Sequence, residues 1–167
     1  QAPWAAFGQA NQLYSPLQLA NYIATLVSGG KHCDAHLLKA VKSYDNSQVI
    51  ALGNTAASNT VAISDATLRA VKEGMHELTT TSLAGYFSSC VVDAGAKTGT
   101  AQNGNPTGSD NAAFICYAPA DDPQIAIAVF GEKIGGGSYL APVAKAILDA
   151  YFGLNSGDVD NFENGLN

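Results

Sequence analysis

Two adjoining apolar segments constrain the fold of this chain most. Residues 112–118 and 124–131 are rich in β-branched and aromatic side chains, and the sequence Pro-Ala-Asp-Asp-Pro at positions 119–123 separates them. Two strand-like segments joined by so short a turn sequence predict an antiparallel hairpin. Three further segments are strand candidates: residues 37–41, 48–52 and 91–102. The chain is therefore expected to fold around an antiparallel sheet.

Three segments have the spacing of apolar residues that is typical of amphipathic helices: residues 15–28, 64–79 and 138–152. In the first of them, Ser15 is suited to cap the helix, Pro16 to be its first residue, and Gly29-Gly30 to end it. A helix with one apolar stripe buries that stripe against another layer. The prediction is an α+β domain, a helix-covered antiparallel sheet over residues 1–153, with a polar tail at 154–167.

The charge balance excludes two classes of function. The chain has 8 Lys and Arg against 14 Asp and Glu, a formal net charge of −6. Such a chain has no basic surface to neutralise a nucleic-acid backbone, and no polybasic patch for anionic lipid. No apolar run approaches the roughly 18–20 residues of a transmembrane helix. We therefore expect no nucleic-acid binding and no membrane insertion by this chain.

The three cysteines, Cys33, Cys90 and Cys116, are an odd number, so they cannot form a complete set of disulfides. Cys116 lies inside the apolar segment 112–118, where a small buried hydrophobic residue is expected. Cys33 and Cys90 remain candidates for another use.

The segment Ala-Lys-Thr-Gly-Thr-Ala-Gln at positions 96–102 carries the clearest chemical signal. On a strand, Lys97 and Thr98 supply an ammonium and a hydroxyl that suit a carboxylate, and Gly99 lets an extended ligand approach closely. A backbone N–H beside them can stabilise a developing oxyanion. A three-residue string also arises by chance, so an ordinary exposed lysine beside turn residues is the alternative interpretation of Lys-Thr-Gly alone.

Other stretches, in a fixed order, place this string in a wider pattern. They are Gly8-Gln9, Ser-Pro-Leu-Gln-Leu-Ala at 15–20, Val-Ser-Gly-Gly at 27–30, His-Leu-Leu at 36–38, Val-Lys-Glu-Gly-Met at 71–75, and the segments 94–102, 111–119 and 124–129. The pattern resembles the transpeptidase domain of class B penicillin-binding proteins, the serine enzymes that cross-link peptidoglycan. The resemblance implies a penicillin-binding/serine β-lactamase-like transpeptidase fold, peptidoglycan stem peptides as substrates, and acylation by β-lactam antibiotics.

The same resemblance implies roles for four residues. Lys97 would set the electrostatics of the serine site and orient the substrate. Thr98 and Thr100 would hydrogen-bond the carboxylate of a stem peptide or β-lactam, and the N–H of Thr100 would form half of the oxyanion hole. Gly99 would keep the edge of the strand open. Lys97 and Thr100 are thus the predicted catalytic residues of this chain.

The nucleophile of the family is not found at its usual place. The family's Ser-x-x-Lys and Ser-x-Asn motifs precede its Gly-Gln segment, which here is Gly8-Gln9, near the first residue. The sequence Ser28-Gly29-Gly30-Lys31 fits the first motif in letters, but two glycines interrupt the helical turn that would join serine and base. Residues 109–111, Ser-Asp-Asn, follow Lys-Thr-Gly instead of preceding it.

We therefore expect this chain to lack the catalytic serine. It would depend on an N-terminal remainder of the same protein that carries Ser-x-x-Lys and Ser-x-Asn. By resemblance, the parent protein would lie at the extracytoplasmic face of the cell membrane, anchored by an N-terminal segment that this chain does not contain.

A zinc site is a further hypothesis. Asp34 and His36 are two residues apart and share one side of an extended segment. Together with His76 and Cys90 they would supply a carboxylate, two imidazoles and a thiolate, a tetrahedral set suited to structural Zn²⁺. Some clostridial-type members of the family look similar in carrying such a set. His32 or Cys33 could replace one of these ligands. The alternative interpretation is that the four residues are ordinary core or surface residues that bind no metal.

Two other functions remain open from the sequence. One is a non-catalytic, zinc-stabilised peptide-binding module. The other is a relative of the serine β-lactamases, which share Lys-Thr-Gly, although Gly8-Gln9 and the segment 15–20 favour the penicillin-binding proteins.

Overall fold

The computed structural model of the chain describes residues 3, 8, 13–102, 104 and 108–153. The predicted tail 154–167, Gln9 and most of the loop 103–107 lie outside the described residues. The elements, in chain order, are α1 (Pro16–Val27), β1 (Lys31–His32), β2 (Ala40–Lys42), β3 (Val49–Leu52), β4 (Asn59–Thr60), α2 (Asp65–Thr80), α3 (Ala84–Phe87), β5 (Gly95–Ala101), β6 (Asn111–Ala118), β7 (Ile125–Gly131), a 3-10 helix (Gly137–Leu140) and α4 (Ala141–Phe152).

The main sheet has three antiparallel strands in the order β5-β6-β7. In its register Lys97 lies opposite Ile115, and Cys116 lies opposite Ile127. The predicted hairpin is confirmed, because β6 and β7 pair from Ala112 opposite Gly131 to Ala118 opposite Ile125, on either side of the turn at 119–123. Two small antiparallel pairs, β1 with β4 and β2 with β3, lie apart from this sheet.

Helices cover both faces of the main sheet. On one face Tyr117 packs with Ile23 of α1 and Met75 of α2. On the other face Phe114 and Cys116 belong to a larger core that includes side chains of α3 and α4. All three cysteines of the described structure are free, and Cys116 is fully buried as expected. The observed three-layer arrangement confirms the predicted α+β class.

The helix starts follow from local sequence. The Ser15 hydroxyl accepts a hydrogen bond from the N–H of Gln18, and the Gln18 side chain accepts one from the N–H of Ser15, a reciprocal capping box. Ser64 caps α2 through the N–H of Thr67. Gly153 ends α4 with φ +92°, a left-handed conformation that glycine adopts without strain.

Tertiary contacts move the start of the strand that was predicted at residues 91–102. Residues 91–102 were expected to be extended, but β5 begins only at Gly95. The N–H of Val91 donates to Asp149 Oδ1 at 3.3 Å, and the carbonyl of Asp93 accepts from the N–H of Ala120. These backbone groups are therefore engaged outside the sheet ladder, and the segment before Gly95 bends instead of pairing.

Two further bounds differ from expectation. The segment 138–152 opens as a 3-10 helix and continues as α4, whose buried residues include Ala141, Ala144 and Leu148. Two other apolar residues of this segment, Val143 and Ile147, are 48% and 40% exposed. The segment 37–41 pairs only from residue 40, because its register with β3 begins at Ala40 opposite Leu52. No helix in the described ranges is both long and apolar enough to cross a membrane.

Candidate active site

The candidate site lies on β5, which is an edge strand of the described sheet. Its hydrogen-bonded neighbour is β6 alone, so alternate N–H and C=O groups on its other side are available to a ligand strand. Lys97 and Thr100 are exposed, while Thr98 and Gly99 are half-buried. The Lys-Thr-Gly-Thr segment thus lies where an extended peptide can approach.

The first half of β5 is anchored in the core. Ala96 is fully buried, and the Thr79 hydroxyl of α2 donates to the carbonyl of Ala94 at 2.7 Å in a buried hydrogen bond. Gly95 lies against the ring of Tyr117, since a Cβ at position 95 would be 2.5 Å from it. These contacts hold the strand rigidly just before Lys97, which is what a preorganised binding strand requires.

The ammonium of Lys97 has no acidic partner among the residues that the structure describes. Its Nζ donates to the carbonyl of Thr98 at 2.6 Å, and the ion pairs of the described part involve other residues. A charged group with only a carbonyl acceptor is free to form a stronger, charge-assisted bond with an incoming carboxylate.

Gly137, in the 3-10 helix, contacts the second half of β5, at Gly99 and Thr100. Its N–H donates to Thr100 Oγ1 at 3.3 Å. A Cβ at position 137 would lie 2.6 Å from the carbonyl oxygen of Gly99 and 2.7 Å from that of Ala113. Gly137 was not among the site residues predicted from the sequence. Three consecutive glycines at 135–137 nevertheless indicate a segment whose backbone can lie close to another strand.

Gly99 has a different environment. A Cβ there would lie 3.4 Å from the Cβ of Ala113 and 3.7 Å from the Ala113 carbonyl oxygen, which are ordinary contact distances. Packing within the described residues therefore does not require glycine at position 99, in contrast to position 137.

Ser28, which matches the family's Ser-x-x-Lys motif in letters, is not placed one helical turn from Lys31. Ser28 lies at the end of α1, where its hydroxyl donates to the carbonyls of Thr25 and Lys31. Gly29 and Gly30 have φ of +74° and +90°, so Ser28 and Lys31 do not share a helical turn. Asn111 uses its side-chain oxygen to accept from the N–H of Lys133.

The first two proposed zinc ligands lie on the segment between β1 and β2. Asp34 accepts a hydrogen bond from the Ser58 hydroxyl at 3.0 Å and is exposed. His36 is exposed and lies against Gly53, where a Cβ would be 2.8 Å from its ring. The candidate substitute His32 has its Nε2 at 3.9 Å from Asp34 Oδ1, and Cys33 donates to the carbonyl of Thr55.

The other two proposed ligands lie elsewhere. His76 of α2 lines a cavity of about 520 Å³ together with Lys72 and Asp93. Cys90 lies between α3 and β5, where burial, and after it the charge of Asp149, raise the pKa of its thiol. Over the described ranges no three His, Cys, Asp or Glu side chains form a group that could hold a metal ion.

Comparison with known proteins gives this geometry a family. Residues 1–149 match the penicillin binding protein transpeptidase domain. The chain is 30% identical to Penicillin-binding protein 2A of Bacillus subtilis over 90% of its own length and 24% of that protein. It is 29% identical to the peptidoglycan D,D-transpeptidase MrdA of Haemophilus influenzae, over 93% of the chain and 26% of the relative.

A solved structure supports the same assignment. Penicillin-binding protein A of M. tuberculosis, as its ceftriaxone acyl-enzyme complex, superposes with a TM-score of 0.73 at 26% identity, covering 88% of this chain and 34% of that one. The chain thus spans about a quarter of the length of the curated relatives named above. The resemblance of the Lys-Thr-Gly strand and its flanking segments is confirmed, and the chain belongs to the family of penicillin-binding protein transpeptidase domains.

Proposed function

We propose that this chain is the C-terminal part of a class B penicillin-binding transpeptidase domain, and that the complete protein cross-links peptidoglycan stem peptides by serine acyl transfer. One observation carries the proposal: Lys97, Thr98 and Thr100 lie on an edge strand whose other side is unpaired in the described structure. Membership of the family supports it. This chain would supply the substrate-binding strand, and an N-terminal remainder of the same protein would supply Ser-x-x-Lys and Ser-x-Asn.

The substrate would bind as an extended peptide along β5. The ammonium of Lys97 attracts the terminal carboxylate of the stem peptide, and the hydroxyls of Thr98 and Thr100 donate hydrogen bonds to it. The open face at Gly99 leaves room for the peptide backbone. A β-lactam presents its carboxylate to the same groups, so inhibitor and substrate compete for one strand.

The reaction divides into two acyl transfers. The serine hydroxyl attacks the carbonyl carbon between the last two D-alanines, and the Thr100 N–H, as half of the oxyanion hole, stabilises the negative oxygen. The peptide bond breaks, the terminal D-alanine leaves with a proton on its amine, and an ester remains. An amine of a neighbouring stem peptide then attacks the ester carbonyl; the new amide bond forms the cross-link, the ester bond breaks, and the proton lost by the amine passes to the serine oxygen.

The site of action follows from the substrate. Peptidoglycan is assembled outside the cytoplasm, so we place the complete protein at the extracytoplasmic face of the cell membrane, anchored by a segment that lies outside this chain.

Structural Zn²⁺ at Asp34, His36, His76 and Cys90 stays a prediction, and no step above uses it. Metal analysis of the full-length protein tests it. One equivalent of zinc, whose removal by a chelator lowers the melting temperature, supports a structural site; less than about a tenth of an equivalent overturns it.

Labelling with a fluorescent penicillin tests the proposed function. We expect the full-length protein to be labelled covalently, on a serine outside residues 1–167, and this chain alone to remain unlabelled. Ser28→Ala in the full-length protein is the control and should label normally, since Ser28 is engaged in capping α1. A labelled serine within residues 1–167, or no labelling of the full-length protein, would overturn the proposal.

A further inference from the structure

We propose that Gly137 is a positioning residue for ligand binding: its backbone N–H holds the hydroxyl of Thr100 in the orientation that donates to a carboxylate at the open edge of β5. The inference rests on the proposed function and adds to it a residue far from the Lys-Thr-Gly motif, 37 positions along the chain from Thr100.

The hydrogen bond sets the direction of the hydroxyl proton. A threonine hydroxyl has one hydrogen to donate and two lone pairs that accept. The Gly137 N–H, 3.3 Å away, occupies one lone pair of Thr100 Oγ1, so the hydroxyl hydrogen points elsewhere. Within the described residues this hydroxyl donates to no protein acceptor, and Thr100 is exposed. The hydrogen is therefore available to a ligand.

The contact requires glycine at position 137. A Cβ there would be 2.6 Å from the oxygen and 2.8 Å from the nitrogen of Gly99, and 2.7 Å from the Ala113 oxygen. These are backbone atoms of two paired strands, so they cannot move aside as a flexible side chain would. An alanine would displace the 3-10 helix from β5 and lengthen the hydrogen bond to Thr100.

The 3-10 helix is also held from its other end. Leu140, the last residue of the 3-10 helix, and Ala141, the first residue of α4, are 4% and 0% exposed and belong to the core beneath the sheet. The position of the Gly137 N–H is thus fixed by the fold before a ligand arrives. A donor that is oriented in advance loses less conformational freedom on binding, which favours the bound state.

The neighbouring glycine provides a matched control. A Cβ at position 136 would meet only Ser138 Oγ at 3.7 Å and the Tyr139 ring at 3.9 Å, which are ordinary contacts. Gly136 also has φ −86°, a conformation that alanine adopts readily. Gly136→Ala therefore removes the same backbone freedom without touching β5.

The test uses the full-length protein and a pair of inhibitors, a penicillin and the methyl ester of the same penicillin. The ratio of their second-order acylation rate constants measures the preference for a free carboxylate. We expect Gly137→Ala to lower this ratio about tenfold, as for loss of one hydrogen bond to a charged group, while the rate with the ester changes less than about twofold. Gly136→Ala should keep the ratio of the unaltered protein.

A second measurement does not depend on activity, and it decides the case even if Gly137→Ala fails to fold. Hydrogen-exchange mass spectrometry of the peptide covering residues 135–140 reports the protection of the Gly137 N–H. Thr100→Val removes the acceptor and should speed exchange in this peptide, whereas Thr100→Ser keeps a hydroxyl and should restore both protection and carboxylate preference.

The outcomes separate the two proposals. No acylation of the unaltered protein by either inhibitor overturns the proposed function and, with it, the role of Gly137. Normal acylation with an unchanged ratio in Gly137→Ala, or unchanged exchange of residues 135–140 in Thr100→Val, overturns the role of Gly137 alone.

Discussion

The β5–β7 sheet and the β2–β3 hairpin are both antiparallel, yet they differ in how the chain covers them. The sheet is enclosed by helices on both faces, and its central residues Phe114 and Cys116 are fully buried. Every residue of β3 is exposed, and Tyr44, near the tip of the hairpin, is 106% exposed. Strand pairing is therefore not what stabilises the candidate site; burial on both sides of its strands is.

The region around α1 is less buried than the main sheet and more buried than the β2–β3 hairpin. Its inner residue Ile23 is buried against the sheet, but Leu13, Tyr14 and Tyr22 are exposed. A cavity of about 740 Å³, lined in part by Tyr14, Tyr22 and Val61, lies beside the helix. Within the described residues, the contacts that hold β5 in place come mainly from β6, α2 and the 3-10 helix, so the candidate binding strand belongs to a well-packed part of the chain.

The largest effect is expected from opening the core behind β5. Phe114→Ala removes a fully buried ring that stacks with Phe87 at 6.3 Å between centroids and should destabilise the protein by about 3–5 kcal/mol, the usual cost of truncating a buried aromatic residue. Urea unfolding of the full-length protein measures it. Phe130→Ala, on the adjacent β7 but 46% exposed, should cost less than half as much; equal losses would show that the burial described here does not govern stability.

A smaller effect, specific to function, is expected at Lys97. Lys97→Ala should lower the acylation rate constant with a penicillin by about 100-fold, since it removes the positive charge that attracts the carboxylate and stabilises the serine site. The unfolding midpoint should stay within error, because Lys97 is exposed and has no ion-pair partner in the described part. Lys42→Ala, on the exposed strand β2, is the matched charge control and should acylate normally.

The next prediction concerns Asp149 of α4, which accepts a hydrogen bond from the N–H of Val91, shortly before β5. Burial favours its neutral form, but the hydrogen bonds from Lys145 and from the Val91 N–H, with the charge of Lys145, hold the pKa of the Asp149 carboxyl below its ordinary value. The charged form is thus stabilised in the folded state. This stabilisation is fully present above the unfolded carboxyl pKa of about 4 and is lost as pH falls through the lower, folded pKa.

Asp149→Asn should therefore lower stability by about 1–2 kcal/mol at pH 7, and the difference from the unaltered protein should shrink below about pH 4. Unfolding curves between pH 3 and 7 measure it. The comparison residue is Asp45 in the β2–β3 turn, whose pKa is lowered to about 2 chiefly by hydrogen bonds from Ser43 and then Ser47. Asp45 is exposed, so Asp45→Asn should change the unfolding midpoint less; the reverse order would contradict the comparison of the two regions.

The smallest effect is expected at the tip of the hairpin. Tyr44→Ala removes a ring that is fully exposed in the part of the chain that the structure describes, so stability should change by less than about 0.5 kcal/mol. A loss above about 1 kcal/mol in the full-length protein would show that the hairpin is covered there by another part of the molecule.

Much of the fold follows from the sequence because its signals are local. The cap at Ser15 and the hairpin turn at 119–123 depend on residues only a few positions apart, and the structure confirms both. The start of β5 was not predictable in this way, since it depends on Asp149, 58 positions from Val91.

The candidate site likewise has features that follow from local sequence and features that depend on long-range contacts. By itself, the sequence determined the candidate chemistry of the strand, since the residues at 97–100, Lys-Thr-Gly-Thr, are consecutive and their order alone carries the family's motif. Only the tertiary structure decided that β5 is an edge strand, that Gly137 meets Thr100, and that no three of Asp34, His36, His76 and Cys90 come together in the described residues. The physical reason is the separation along the sequence over which each kind of interaction acts. Caps, turns and periodicity depend on residues a few positions apart. A site is formed by contacts between distant segments, which come together only when the chain packs.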